Sequence, residues 1–236
     1  MKFIQDYKDD CDTLLKAWRD RESFAFARFG DGEAFILAGS EGFNVETLET
    51  ERWRSGDVTP EFRERLLAAI SHDEEGYHVG LFARRKARDR WKWYAKYVHE
   101  PVRVPRERRT FAEVLSYRNW GKFTTEDCRG SVLVCSQAKP DLPDVEVLLV
   151  PQNDAWRLDP ADAVEALLEK DKPVLVAAGP LGSVIVHEYW RQGGRNPIMN
   201  IGSIFDPQIH GQTTRNYHTH IPGVLEFAWP QSGELR

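Results

Sequence analysis

Near the N-terminus apolar residues recur at spacings of three and four. Tyr7, Cys11, Leu14, Leu15 and Trp18 share one stripe, which predicts an amphipathic helix. The period then shortens. In SFAFARF, Phe24, Phe26 and Arg28 alternate with Ala25, Ala27 and Phe29, and both sides are so apolar that the run reads as a strand covered on both faces. TPEFRERLLAAI supplies Thr59 as an N-cap and Pro60 at the first helical position, so a helix is predicted there. YHVGLF reads as a second strand. ARDRWKWYAKYV reads as a helix with Ala87, Trp91, Tyr94 and Val98 on one stripe.

The second half repeats a simpler rhythm. SVLVCS (131–136), VEVLLVP (145–151), PVLVAAG (173–179) and PIMNIGS (197–203) are short β-branched runs that end in turn residues. Between them, DPADAVEALLEK predicts a helix capped by Asp159, and GPLGSVIVHEYWRQGG one that stops at a glycine pair. Strands alternating with helices at this spacing predict an α/β fold, a Rossmann-like and mainly parallel sheet flanked by helices. No linker or repeat divides the chain, so residues 1–236 read as one domain with insertions near 40–58 and 84–130.

Composition narrows the setting. With 41% hydrophobic and 29% charged residues the chain is an ordinary globular one, and no apolar run approaches the roughly 18 residues of a membrane span. Acidic residues stand where a secretory signal would be apolar. The three cysteines, Cys11, Cys128 and Cys135, are odd in number and far apart, which suits reduced thiols and a cytoplasmic location. The net charge of −5 is unevenly spread. Residues 84–109 hold eleven Lys or Arg against three acids, a local +8 on an otherwise acidic body.

In an open parallel sheet, ligands bind beyond the carboxyl ends of the strands. Four turns occupy those places: Gly30-Asp31-Gly32-Glu33, Gln152-Asn153-Asp154, Gly179-Pro180-Leu181-Gly182-Ser183, and the polar stretch IFDPQIHGQTTRNYHTH. Small residues at Gly179–Ser183 would let backbone N–H groups approach an anion at a helix N-terminus, though the same residues also make a good strand-to-helix turn. Asp31 and Glu33, two apart on a turn, would suit one hard cation with oxygen ligands, or simply an acidic helix start.

ARFGDGE, following an N-terminal helix and an opening strand, resembles the DxE motif of the GT-D type glycosyltransferases. YHVGL, LLVPQNDAW, VLVAAGPLGSVIVHEYWRQG and NIGSIFDPQIHGQTTRNYH resemble further blocks of that family, in the same order, whereas 84–130 matches poorly. The resemblance implies transfer of a sugar from a nucleotide-diphosphate donor, a uridine diphosphate sugar first among them, to an acceptor hydroxyl. It implies a divalent metal, Mn²⁺ or Mg²⁺, on Asp31 and Glu33, with Arg28 and Gly30 shaping the site. Asn153, Gly179, Pro180, Gly202 and Ser203 would surround the donor or acceptor, and Arg215 would meet the phosphates. Asp206 and His218 are the candidate bases, with Glu188 and Asp154 also available.

The basic segment is not accounted for by that family. Arg84 and Arg85, followed by Trp91 and Trp93, combine charge with stacking rings, which suits an anionic glycan or a nucleic acid as acceptor. An amphipathic helix with solvated charges has the same pattern. Two other activities share these features: hydrolysis or phosphotransfer on a nucleotide diphosphate, and non-catalytic nucleic-acid binding through 84–109.

Overall fold

The computed structural model describes residues 4–38, 58–81, 109–111, 123–151 and 157–211. Most of the expected insertions, including the helix expected at ARDRWKWYAKYV, lie outside them. Helix α1 (Ile4–Arg19) carries the predicted stripe, with Cys11, Leu14, Leu15 and Trp18 buried. Strand β1 (Ala25–Arg28) leads to α2 (Asp31–Ala38), and α3 (Pro60–Ser71) leads to β2 (Tyr77–Leu81). Thr59 caps α3 as expected, its Oγ1 accepting from the Phe62 N–H at 3.2 Å. Strand β3 is Arg109–Phe111, and a 3₁₀ turn at Thr125–Cys128 precedes β4 (Val132–Cys135) and β5 (Glu146–Leu149).

The next elements alternate as the sequence predicts: α4 (Ala161–Leu168), β6 (Val174–Val176), α5 (Pro180–Arg191) and β7 (Ile198–Asn200); α6 (Asp206–His210) follows within the stretch read only as polar. One boundary differs. Asp159 was expected to cap α4 directly, but Pro160 takes that place. Asp159 Oδ1 accepts from the Ala161 N–H at 3.2 Å, so it caps from one residue further out.

The seven strands form one sheet in the order β3-β2-β1-β7-β6-β4-β5, and all the pairings are parallel. Side chains alternate cleanly between its two faces. Ala25, Ala27, Tyr77, Val79, Val132, Val134, Val174, Val176 and Ile198 pack under α2 to α5. Phe24, Phe26, Leu133, Cys135, Leu175 and Met199 pack against α1, the 3₁₀ turn and α6. Double coverage is why these strands carry almost no polar residues. The three cysteines are buried and none is in a disulfide, and burial pushes the Cys128 thiol up to about 12.

The order of strands creates an opening. Leaving β1, the chain passes to α2, whose Ile36 and Leu37 join the first core. Leaving the adjacent β7, it passes to α6, whose Ile209 joins the second. Neighbouring strands whose connections depart to opposite faces leave a crevice at their carboxyl ends, the usual ligand position in such sheets.

At the opposite end of the sheet a buried histidine, His187, meets the half-buried His72. The His187 ring on α5 packs edge-on to His72 and Tyr77, with centroids 4.9 and 6.2 Å away. Burial lowers the His187 pKa to about 4, although the Glu188 carboxylate, 3.5 Å from Nδ1, opposes the shift; His72 and Arg191 add to the lowering. The folded chain thus keeps His187 neutral where the unfolded chain would protonate it. Its contribution is complete above the ordinary value of 6.5 and is lost as pH falls toward 4, at about 1.4 kcal/mol per pH unit. Urea unfolding across that range should show this slope, and His187→Gln should reduce it. The same slope in both proteins would contradict the assignment.

Candidate functional site

The crevice is built from Arg28 outward. The ladder of β1 ends where the Phe29 N–H donates to the Gly80 carbonyl at 2.7 Å. Gly30 then stands before the first residue of α2. Its N–H donates to Glu33 Oε2 at 2.9 Å, and Glu33 is only 3% exposed. This is the return half of a capping box, in which an acid at the third helical position satisfies the backbone N–H of the cap residue.

Of the two readings of the DxE pair, the backbone shows the acidic helix start. Asp31 and Glu33 occupy the first and third positions of a helix rather than an extended turn. Residues two apart on a helix lie about 200° apart around its axis and do not face each other. Glu33 closes the turn, and Asp31 holds the first position of the helix.

Glycines wall the arginine. A Cβ on Gly30 would fall 2.8 Å from Arg28 Nη1, and one on Gly202 would fall 2.9 Å from Arg28 Cζ and Nε. The guanidinium thus lies between the two backbones, close against the Cα atoms of Gly30 and Gly202. Gly202 also has φ +57°, a left-handed conformation that glycine adopts without strain. It belongs to the turn leaving β7, so β1 and β7 each contribute one wall.

A buried chain of hydrogen bonds ties these walls to α5. The Ser183 hydroxyl donates to the Arg28 carbonyl at 2.5 Å. Asn200 Nδ2 donates to Ser183 Oγ at 3.0 Å, and the Gly202 N–H donates to Asn200 Oδ1 at 3.0 Å. Ser183 and Asn200 are almost fully buried. Helix α5 comes close enough that a Cβ on Gly182 would lie 2.9 Å from Asn200 Nδ2. Gly179, at φ +54° and ψ −140°, turns the chain from β6 into α5, with Pro180 at the first helical position.

The crevice therefore brings together Arg28, Gly30, Glu33 and Gly202 in direct contact. Gly179 and Pro180 stand at the next strand end but one, and Ser203 and Asp206 on the exit from β7. Asp206 is half-buried and opens α6, its N–H donating to the Ser203 carbonyl at 3.2 Å. Glu188 is not part of this group. It lies eight residues along α5 from Pro180, about 12 Å by helical rise, and pairs with Arg191 at 2.6 Å. Asn153, Asp154, Arg215, His218, Arg84, Arg85, Trp91 and Trp93 lie outside the described residues.

Ser183 and Asn200 were not singled out from the sequence. A signal was present for Asn200: an amide inside the apolar run PIMNIG needs a hydrogen-bonding partner once that strand is buried on both faces.

Arg28 gives the crevice a positive group, set among the acids Asp31, Glu33 and Asp206 at the same strand ends. A half-buried guanidinium is a fixed fork of donors suited to phosphate. Helices α2 and α5 both begin at this end of the sheet and add the positive ends of their dipoles. Among the described residues no three His, Cys, Asp or Glu side chains come together as a metal cage. A divalent cation here would fit the mode in which one or two carboxylates share the ion with substrate phosphates.

No protein-family model matches the sequence, and no curated protein does either. Solved structures do match. One, of domain of unknown function 1792, described as having a distinct glycosyltransferase fold, covers 84% of this chain and 78% of its own at a TM-score of 0.59 and 15% identity. A selenomethionine-substituted structure of domain of unknown function 1792 gives 0.58 at 16% identity, again over 84% of this chain and 78% of its own. A third, described as a new glycosyltransferase of that domain from Streptococcus sanguinis, gives 0.52 at 15% identity over 83% of this chain and 81% of its own. This chain thus has the glycosyltransferase fold seen in that domain.

Proposed function

We propose that this protein is a glycosyltransferase that moves a sugar from a nucleotide-diphosphate donor to an acceptor hydroxyl. The observation that carries the reading is the Arg28 guanidinium held between Gly30 and Gly202 at the β1–β7 crevice of a glycosyltransferase fold. Breaking the bond between an anomeric carbon and a diphosphate develops negative charge on the leaving group. An arginine fixed before the reaction, together with two helix N-termini, stabilises that charge without reorganising. A uridine diphosphate sugar is the first donor to try, and an anionic glycan or a nucleic acid the first acceptor.

A divalent cation, Mn²⁺ or Mg²⁺, would be held by Asp31 and the donor phosphates and would neutralise charge on the leaving diphosphate. Glu33 has the supporting role of closing the turn that presents Asp31. Asp206, on the β7 exit, is the described candidate for taking the acceptor proton, with His218 the second candidate. The three buried thiols accord with a reducing, cytoplasmic setting. No helix among the described residues is long and apolar enough to cross a membrane.

Two outcomes test this reading. UDP with Mn²⁺ at about a hundredfold excess over Kd should stabilise the protein by about 2.7 kcal/mol, several degrees in Tm. Asp31→Asn should remove the Mn²⁺-dependent part and reduce transfer by about 10²-fold or more. Glu33→Gln keeps an acceptor oxygen for the Gly30 N–H and should lose less than Glu33→Ala. Free sugar without a glycosylated acceptor would show a hydrolase instead, and an Asp31→Asn protein with unchanged transfer would refute the assignment.

The glycine walls give a matched comparison. Gly202→Ala and Gly211→Ala both place a side chain at positive φ, +57° and +68°, and each should cost about 1–2 kcal/mol in stability. Only Gly202→Ala meets Arg28; nothing lies within 4 Å of a Cβ on Gly211. Transfer should therefore fall at least tenfold in the first and hold in the second. Equal losses in both would contradict the role given to the Arg28 slot.

A further inference from the structure

We propose that Ser183 and Asn200 are positioning residues for the anion site, acting through Arg28. The inference rests on the reading of Arg28 as a diphosphate ligand and adds residues that reading does not need. Its basis is the direction and end points of the buried hydrogen-bond chain. One end is the Arg28 carbonyl, at the root of the arginine side chain. The other is the Gly202 N–H, on the residue whose backbone walls the guanidinium. The same two side chains thus fix both where Arg28 starts and the surface against which it lies.

The bonding is fully consistent with one hydroxyl proton. Ser183 gives its proton to the Arg28 carbonyl and accepts from Asn200 Nδ2, while Asn200 Oδ1 accepts from Gly202. Ser183 is 0% exposed and Asn200 1%, so neither reaches a ligand in the crevice. Apolar side chains in their place would leave the Arg28 carbonyl and the Gly202 N–H without these partners. What the chain supplies beyond packing is registration: it links the ends of β1 and β7 to the first turns of α5, three segments with no covalent continuity at this point. A misplacement of a catalytic group by about 1 Å can cost up to about 10²-fold in rate. Both residues thus hold the slot in which Arg28 meets the diphosphate.

The test is a double-mutant cycle read by calorimetric titration of UDP in the presence of Mn²⁺, on wild type, Ser183→Ala, Arg28→Lys and the double variant. If Ser183 acts by placing Arg28, Ser183→Ala weakens UDP binding about tenfold in the wild-type background but less than about twofold once Arg28 is Lys. A purely structural role would lower Tm alike in both backgrounds and leave no such coupling. Equal weakening in both, or none in either, overturns the proposal. Should Ser183→Ala fail to fold, Asn200→Asp goes through the same cycle with the same expectation, since it keeps the acceptor for Gly202 and loses the donor to Ser183. Wild-type protein that binds neither UDP nor inorganic pyrophosphate overturns the donor reading and this role together. Wild type that binds UDP while Ser183→Ala matches it overturns only the positioning role.

Discussion

The Arg28 carbonyl accepts a hydrogen bond from Ser183, 155 residues away in the chain, and the candidate site depends on that contact. It joins the end of β1 to the start of α5, and through Asn200 it reaches the turn that leaves β7. Serine and asparagine are costly to bury unless every polar atom is matched. Each is matched here, by the other or by backbone. Three turns that would otherwise be set only by loop conformation are thereby held in register, and the Arg28 guanidinium lies between two of them.

The sheet makes this contact possible. Because β7 pairs beside β1, the last strand of the described chain returns to the first. The chain leaves one of these strands toward α2 and the other toward α6, so among the described residues their carboxyl ends lie between two layers of helices. The glycine walls matter for a steric reason: a Cβ at Gly30 or Gly202 would fall within about 3 Å of the guanidinium and displace it from its present place. Two helix N-termini at the same end add the positive ends of their dipoles beside Arg28.

Much of this architecture was legible in local pattern. The apolar alternation of SFAFARF shows a doubly covered strand, Thr59 and Pro60 mark a helix start, and Gly179-Pro180 marks the turn into α5. These signals are short-range, and so they survive in the linear sequence. The pairing of β7 with β1 is long-range, and nothing near either strand encodes it. The GDGE turn shows the same limit. Spacing alone leaves Asp31 and Glu33 as a cation pair or an acidic helix start, whereas the structure begins a helix at Asp31 and commits Glu33 to the Gly30 N–H. Asn200 marked itself as a polar residue in an apolar strand, but its partner on α5 is visible only in three dimensions.

The central claim is that the β1–β7 crevice holds a diphosphate against Arg28. A crystal structure of the protein with UDP and Mn²⁺ tests it most directly. The account predicts the diphosphate beside the Arg28 guanidinium, between the turns at Gly30 and Gly202, with the cation between it and Asp31. Diphosphate bound instead on the basic segment 84–109, or at the opposite end of the sheet near His72 and His187, would contradict it.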